Sequence, residues 1–387
     1  MVWEQRKLGD VAEIVGGATP STTQLAFWDG DINWFTPAEI GSSRYVQKST
    51  RTISKLGLRS CSATLLPPGA ILFTSRASIG TMAILLEPAA TNQGFQSMII
   101  KKDYSVDFVY ALGAVIRKYA VKHSAGSTFA EISGKELAKT PIRISSLDEQ
   151  KCIGEFFKTL DDLITAHERK LELLRLKKRY YLQQIFSRKL RFRGFTEPWR
   201  QRKLNELASF GGGHTPSMAD SENYSGGKIL WVTSQDVKQR YIETTTNLLT
   251  KRGAAELNVY PEGSLIMVTR SGILRHMVPV SILRKPATVN QDIRVIQPHS
   301  KNLAPWLFQF FISHQKLILL RYGKTGTTVE SIDFKSLKEM VLSVPTDSEM
   351  ELIGLFLDKI DCLIDCYALK VDLSQRLKSA YLRTLFI

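Results

Sequence analysis

The sequence predicts an α+β protein written twice: two mixed α/β domains in tandem, each followed by a long α-helix. The two helices are expected to pair as an antiparallel coiled coil about a pseudo-two-fold internal repeat. Three observations predict this. First, motifs return in order. Trp3-Glu4-Gln5-Arg6-Lys7-Leu8 reappears as Trp199-Arg200-Gln201-Arg202-Lys203-Leu204, and Gly16-Gly17-Ala18-Thr19-Pro20-Ser21 as Gly212-Gly213-His214-Thr215-Pro216-Ser217. Second, short apolar runs after Pro/Gly turns alternate with helical spacing in both copies. Third, each copy closes on a heptad stripe. A single chain carrying one module twice suits a ligand with two separated sites better than one catalytic pocket.

Ala70-Ile71-Leu72-Phe73-Thr74 and Ser264-Leu265-Ile266-Met267-Val268 read as strands, and Phe95 to Ile100 as another. Positions 107–120 carry helical spacing through Phe108, Ala111, Leu112, Val115, Ile116 and Tyr119; their counterpart is 306–320. The closing stripe of the first copy steps by four and three through Ile153, Phe157, Leu160, Ile164, His167, Leu171, Leu174, Lys178, Tyr181 and Ile185. In the second copy the same steps meet Ile353, Leu357, Ile360, Ile364, Tyr367, Val371, Ser374, Lys378, Tyr381 and Leu385. The apolar members form the expected helix-pair interface: Ile153, Phe157, Leu160, Ile164, Leu171, Leu174 and Tyr181 on one side, Ile353, Leu357, Ile360, Ile364, Val371 and Tyr381 on the other. Asp148-Glu149 and Ser348-Glu349 supply caps and acidic first turns. Each helix should run roughly 55 Å at about 1.5 Å per residue. Two tethered stripes bury each other at high effective concentration, so pairing within the chain is favoured over an oligomeric coiled coil. The expected domains are 1–147, a helix over 148–187, a basic linker over 188–198 punctuated by Gly194 and Pro198, a second domain over 199–347 and a second helix over 348–387.

Apolar residues make up 43% and charged residues 23% of the 387, an ordinary soluble balance. No apolar run approaches the ~18 residues of a membrane span, and the N-terminus lacks a signal-like stretch, so a cytoplasmic protein without membrane attachment is expected. The net charge of +15 points to a polyanion partner, because lysines and arginines that neutralise phosphates release condensed counterions. Cys61, Cys152, Cys362 and Cys366 form no disulfide framework and no paired metal spacing, so no metal is expected.

Catalytic motifs are missing. Gly323-Lys324-Thr325 and Gly134-Lys135-Glu136 both fail the P-loop pattern, and no GxGxxG follows a strand. The six histidines have no repeat counterparts, as a catalytic site built once per module would require. What recurs is a set of polar side chains after strands and turns: Thr36, Ser75, Arg76, Ser78, Asn92, Gln93 and Thr128 in the first copy, and Thr233, Thr269, Arg270, Ser271, Asn290, Gln291 and Thr328 in the second. Arginine bonds guanine and Asn or Gln bonds adenine bidentately in the major groove, while hydroxyls suit phosphates. These are the candidate DNA-binding residues. The structural alternative is that Asn-Gln fixes a loop and that the arginines sit in ion pairs.

The arrangement resembles the specificity subunit of type I restriction–modification systems. The Trp-x-Gln-Arg-Lys-Leu openings, the Gly-Gly-x-Thr-Pro-Ser turns, the Asn-Gln pairs and the helix openings Glu149-Gln150-Lys151-Cys152-Ile153-Gly154 and Glu349-Met350-Glu351-Leu352-Ile353-Gly354 carry the resemblance over the whole chain. Phe129-Ala130-Glu131-Ile132 and Val329-Glu330-Ser331-Ile332 depart from each other before the helices. The resemblance implies two target-recognition domains, each reading one half of a bipartite site on double-stranded DNA, with the helix pair setting the gap. It implies docking of modification subunits, two of them, and of restriction subunits through the complex. S-adenosylmethionine, ATP and Mg would serve those partners, with no cofactor and no catalysis in this chain. The competing classes are a coiled-coil scaffold and a self-contained DNA-modifying enzyme.

Overall fold

Short apolar runs that follow glycine or proline turns fold as strands, and they do so in both copies in the computed structural model of the protein, whose described residues are 3–126, 130–326 and 329–386. The chain forms two units, Met1–Leu171 with Tyr367–Ile387, and Glu172–Cys366. In the first unit, a five-stranded sheet runs in the order Ala12–Gly16, Gln96–Ile100, Ile71–Phe73, Met82–Leu85, Tyr45–Val46. In the second, the order is Ala208–Gly212, Ile293–Pro298, Leu265–Val268, Val280–Leu283, Tyr241–Ile242. Each unit adds a three-stranded sheet, Arg51–Ile53, Trp28–Phe35, Ala89–Thr91 in one and Asn247–Leu249, Ile229–Val232, Ala287–Val289 in the other. In both, the last pair is parallel and the other pair antiparallel.

The repeated openings have a structural use. Glu4–Lys7 pairs with Pro141–Ile144, and Arg200–Lys203 with Val341–Val344, so each motif closes its unit beside the start of a long helix. The leucine that ends each motif, Leu8 or Leu204, is fully buried. Each opening tryptophan donates its indole N–H to a glutamate near that helix start, Trp3 to Glu149 at 3.2 Å and Trp199 to Glu349 at 3.1 Å.

The copies differ in the helix over the sheet. Where the spacing of 107–120 suggests one helix, the chain makes two, Val106–Ala111 and Gly113–Lys122, broken at Leu112. A β-carbon on Gly113 would meet the tip of the Met82 side chain, so the second of these helices starts in close contact with the neighbouring strand. The second copy has one continuous helix, Leu303–Tyr322, whose Trp306 is fully buried against Phe186, Phe310 and Trp199.

The long helices are Leu147–Phe186 and Asp347–Phe386, 40 residues each. In the first unit their contacts run antiparallel: Phe157 meets Phe386, Asp161 meets Lys378, and Glu168 meets Gln375. In the second unit Lys178 meets Asp361 and Tyr181 meets Phe356, again antiparallel. Phe157, Leu160, Ile164, Leu171, Leu174, Ile353, Leu357 and Ile360 are buried, and Ile153, Tyr181, Ile364 and Val371 half-buried. Tyr381 departs from the expected seam. It is 42% exposed, with its ring edge-on to Phe156 at 5.0 Å.

The seam also holds charges. Lys178 Nζ lies 2.6 Å from Asp361, and Lys378 Nζ lies 2.5 Å from Asp161. Each aspartate also bonds the sheet domain of its own unit. Arg44 donates to Asp161 and Asp107, both at 2.6 Å, and Gln309 donates to Asp361 at 2.8 Å with Arg240 at 3.4 Å. One carboxylate per unit therefore ties the sheet domain to both helices. Burial works against the Arg44 charge, but its bonds to Asp107 and Asp161 prevail and hold its pKa above the usual range.

Candidate nucleic-acid interface

The Gly-Gly-x-Thr-Pro-Ser segment leaves the edge strand and crosses the three-stranded sheet. Ala18 N–H donates to Thr91 O at 2.9 Å, and the Trp34 indole donates to Ala18 O at 3.0 Å. The crossing is so close that a β-carbon on Gly17 would overlap Asn92 O and Thr91, and one on Gly213 would overlap Val289 O. Glycine is therefore required at the second position of both motifs. Gly213→Ala is expected to cost about 1–3 kcal/mol, the usual cost of overpacking, because the obstacle is backbone that cannot rotate away. Urea unfolding checks this; an unchanged midpoint would refute the close crossing.

The turn then places a threonine against a glutamine. Thr19 Oγ1 donates to Gln93 Oε1 at 2.5 Å, and Thr215 Oγ1 to Gln291 Oε1 at 2.6 Å. Both glutamines are exposed. With the oxygen held by threonine, each presents its amide NH₂ outward in a fixed orientation, inferred from the hydrogen-bond network. The neighbouring asparagines serve the loop. Asn92 Oδ1 accepts from Gly94 N at 2.9 Å, and Asn290 Oδ1 from Asp292 N at 3.2 Å. Asn290 is buried and Asn92 half-buried, so backbone fixing is the role the structure gives to the asparagine of each pair.

The arginines stand beside these loops. Ser75 N–H donates to Gly94 O at 2.8 Å, and Thr269 N–H to Asp292 O at 2.8 Å, which brings Arg76 next to Gln93 and Arg270 next to Gln291 along the chain. Arg76 is half-buried and Arg270 exposed, and neither forms a salt bridge among the described residues. Ser78 is exposed, and its carbonyl accepts from Thr74 Oγ1 at 2.5 Å. Ser271 is half-buried and caps the turn at Ile273 N, 3.5 Å away.

Ser75 and Thr269 do not face outward. Ser75 is fully buried with Oγ donating to Glu131 at 3.3 Å, and Thr269 is 7% exposed with its hydroxyl on Asp292 O at 3.2 Å. Both were expected at the surface; segments distant in sequence cover them. Thr36 and Thr233 are half-buried caps. Thr36 donates N–H and Oγ1 to Glu39, both at 2.7 Å, and Thr233 does the same to Asp236, both at 2.8 Å. Burial disfavours both carboxylates, yet bonds from Thr50 and Thr36 outweigh it at Glu39, as do those from Thr246 and Thr233 at Asp236, and both pKa values lie below the usual range. Thr128 and Thr328 lie outside the described residues.

Each unit thus gathers one Thr-bound glutamine and one arginine without an acidic partner at one end of its sheets. Thr19 and Thr215, which hold these glutamines, are absent from the recurring polar set, although they stand within the repeated turn itself. Among the described residues there is no group of three or more His, Cys, Asp or Glu able to hold a metal ion, and no helix long and apolar enough to cross a membrane.

The family model described as the type I restriction modification DNA specificity domain matches twice, over residues 2–176 and 196–371. The type I restriction enzyme MjaIX specificity subunit of Methanocaldococcus jannaschii is 36% identical over 176 residues, covering 44% of this chain and 41% of that protein. The EcoR124I/EcoR124II specificity subunit of Escherichia coli is 31% identical over 186 residues, covering 48% and 45%. The matches thus span less than half the length of these relatives. Among solved structures, the S subunit of a type I restriction–modification system from M. genitalium superposes with a TM-score of 0.69 over 100% of this chain and 96% of that one, at 15% identity. A chain from a structure of type I system assembly and conformational transition gives a TM-score of 0.53 over 98% and 96%, at 16% identity. At these identities the structural likeness concerns the fold.

Proposed function

The chain belongs to the type I restriction modification DNA specificity family, and from that premise we propose that it is the non-catalytic subunit that reads DNA sequence for a type I complex. Each unit reads one half of a bipartite site on double-stranded DNA. The observation that carries this is the duplicated, outward-facing glutamine held by threonine beside an arginine with no acidic partner: Gln93 with Arg76, and Gln291 with Arg270. A preset amide beside a guanidinium is a donor array for base edges in the major groove. The two loops differ in sequence around these positions, so the half-sites differ.

The long helices set the gap between the half-sites and dock modification subunits, two in this reading, through which restriction subunits join. Exposed Leu173, Leu176, Leu352 and Leu355 support a docking role, because apolar side chains along one helix pair call for cover. S-adenosylmethionine, ATP and Mg belong to those partners, and the complex works in the cytoplasm.

Methylation mapping in cells with the gene present and deleted tests the reading. The expected result is a split motif that loses its methylation on deletion; unchanged methylation overturns it. Gln93→Ala and Gln291→Ala are each expected to relax one half-site and leave the other intact, with discrimination lowered by about 1 kcal/mol, the net worth of the one hydrogen bond the free amide NH₂ can donate. Binding to duplexes mutated in one half at a time checks this. Equal loss at both halves would refute one reader per unit.

A further inference from the structure

The two copies part company beside the reading turn of the second unit. There Phe210, Gly211, Arg294, Phe334, Lys335 and Lys338 line a shallow pocket of about 330 Å³. Arg294 sits in register with Gly212, the residue at which the edge strand enters the Gly-Gly-x-Thr turn. Its guanidinium lies where a β-carbon on Gly212 would be, so the first glycine of the motif makes room for it. The Lys338 ammonium lies 5.0 Å from the Phe210 ring and 5.6 Å from the Phe334 ring. The rings themselves meet edge to face at 5.5 Å. None of the three cations forms a salt bridge among the described residues, and no acidic side chain lines the pocket.

The first copy supplies an internal control. The same register holds Ile14, Val15, Gln96, Gly134, Lys135 and Ala138. A β-carbon on Gly134 would come 2.7 Å from Gln96 Oε1 and 3.3 Å from Ile14 Cγ2, so these residues occupy the same place in that unit. One cation stands there instead of three, and no aromatic ring.

We propose that Arg294, Lys335 and Lys338 form a phosphodiester-binding pocket, present in the second unit and missing from the first, that takes a backbone phosphate of the DNA beside the half-site this unit reads. The proposal rests on the DNA-reading assignment above and adds a sequence-independent anchor to it. Three convergent cations match a single phosphate anion, with arginine able to bond two of its oxygens. The phenylalanine rings exclude water on one side and attract the ammonium, which strengthens its pull on an anion at the mouth. The anchor holds register and carries no base information.

Salt titration of duplex binding by the full chain tests it, using both the mapped bipartite site and a duplex of random sequence. Arg294→Gln with Lys338→Ala gives the two extra cation positions the residues of the first copy, Gln96 and Ala138, and leaves the rings in place. It is expected to make the slope of log affinity against log salt shallower by about 0.9, the value for one phosphate no longer neutralised. The fold-loss in affinity should be the same for both duplexes. Lys335 is exposed, so Lys335→Ala leaves the fold intact and should make the slope shallower by a measurable part of that one phosphate's share even if the double variant folds poorly. Arg294→Lys with Lys338→Arg should keep the slope. An unchanged slope in folded Lys335→Ala and in the double variant overturns the pocket. Intact DNA binding with failed capture of a modification subunit also overturns it, in favour of an acidic protein partner. If the unaltered chain binds the mapped and random duplexes equally, the reading assignment fails instead, and the slopes still report on the pocket.

Discussion

Glu349→Ala is expected to destabilise the second unit by about 3 kcal/mol, toward the lower end of the cost of breaking a buried ion pair. Glu349 has no exposed surface and accepts three bonds, from Arg191 Nε at 2.9 Å, Arg191 Nη2 at 2.7 Å and Trp199 Nε1 at 3.1 Å. Its removal strands a guanidinium and an indole N–H next to an apolar core. Arg191 keeps 21% side-chain exposure and can turn partly to water, which places the cost at the lower end. The duplication offers the comparison. Glu149 accepts only the Trp3 bond, and its second oxygen is buried without a partner. Glu149→Ala is expected to cost about 1 kcal/mol, the net worth of one hydrogen bond. Urea unfolding followed by tryptophan fluorescence measures both. Equal losses would mean that the Arg191 bonds contribute nothing net.

Asp361→Ala should have a similarly large effect, about 3–5 kcal/mol, because Lys178, Gln309 and Arg240 all converge on this carboxylate and it is 8% exposed. The cost comes mainly from the unpaired Lys178 left on an apolar seam. Asp361→Ala with Lys178→Met should therefore recover most of it, since an apolar replacement of both partners removes the stranded charge. Thermal melts of the two single variants and the double variant close the cycle. A double variant no better than Asp361→Ala alone would locate the energy elsewhere, at Arg240 or Gln309.

The long helices were legible in the sequence because a heptad stripe needs only local spacing, and 40 residues without proline leave little choice. Tandem duplication was legible for a similar reason, since motifs in order do not depend on contacts. The break at Leu112 was not, because both halves keep the apolar stripe and nothing in the local spacing marks the interruption. Ser75 and Thr269 read as surface hydroxyls because they follow strands, yet Glu131 and Asp292 O fold over them from elsewhere in the chain. Lys178 and Lys378 stood in the seam as apparent exceptions. Their partners lie on the other long helix, Asp161 being 217 positions from Lys378, beyond the reach of any periodicity. The glutamines were visible as a repeated pair, but their orientation depends on Thr19 and Thr215, which a sequence reader files as turn residues.

The first unit is not completed by its own stretch of chain. Phe386 packs against Trp3, Phe108 and Phe157, at ring separations of 6.0, 5.6 and 5.9 Å. An amino-terminal half produced alone would therefore carry that aromatic face bare and be prone to aggregate, because the second long helix has to pack back onto it to cover it.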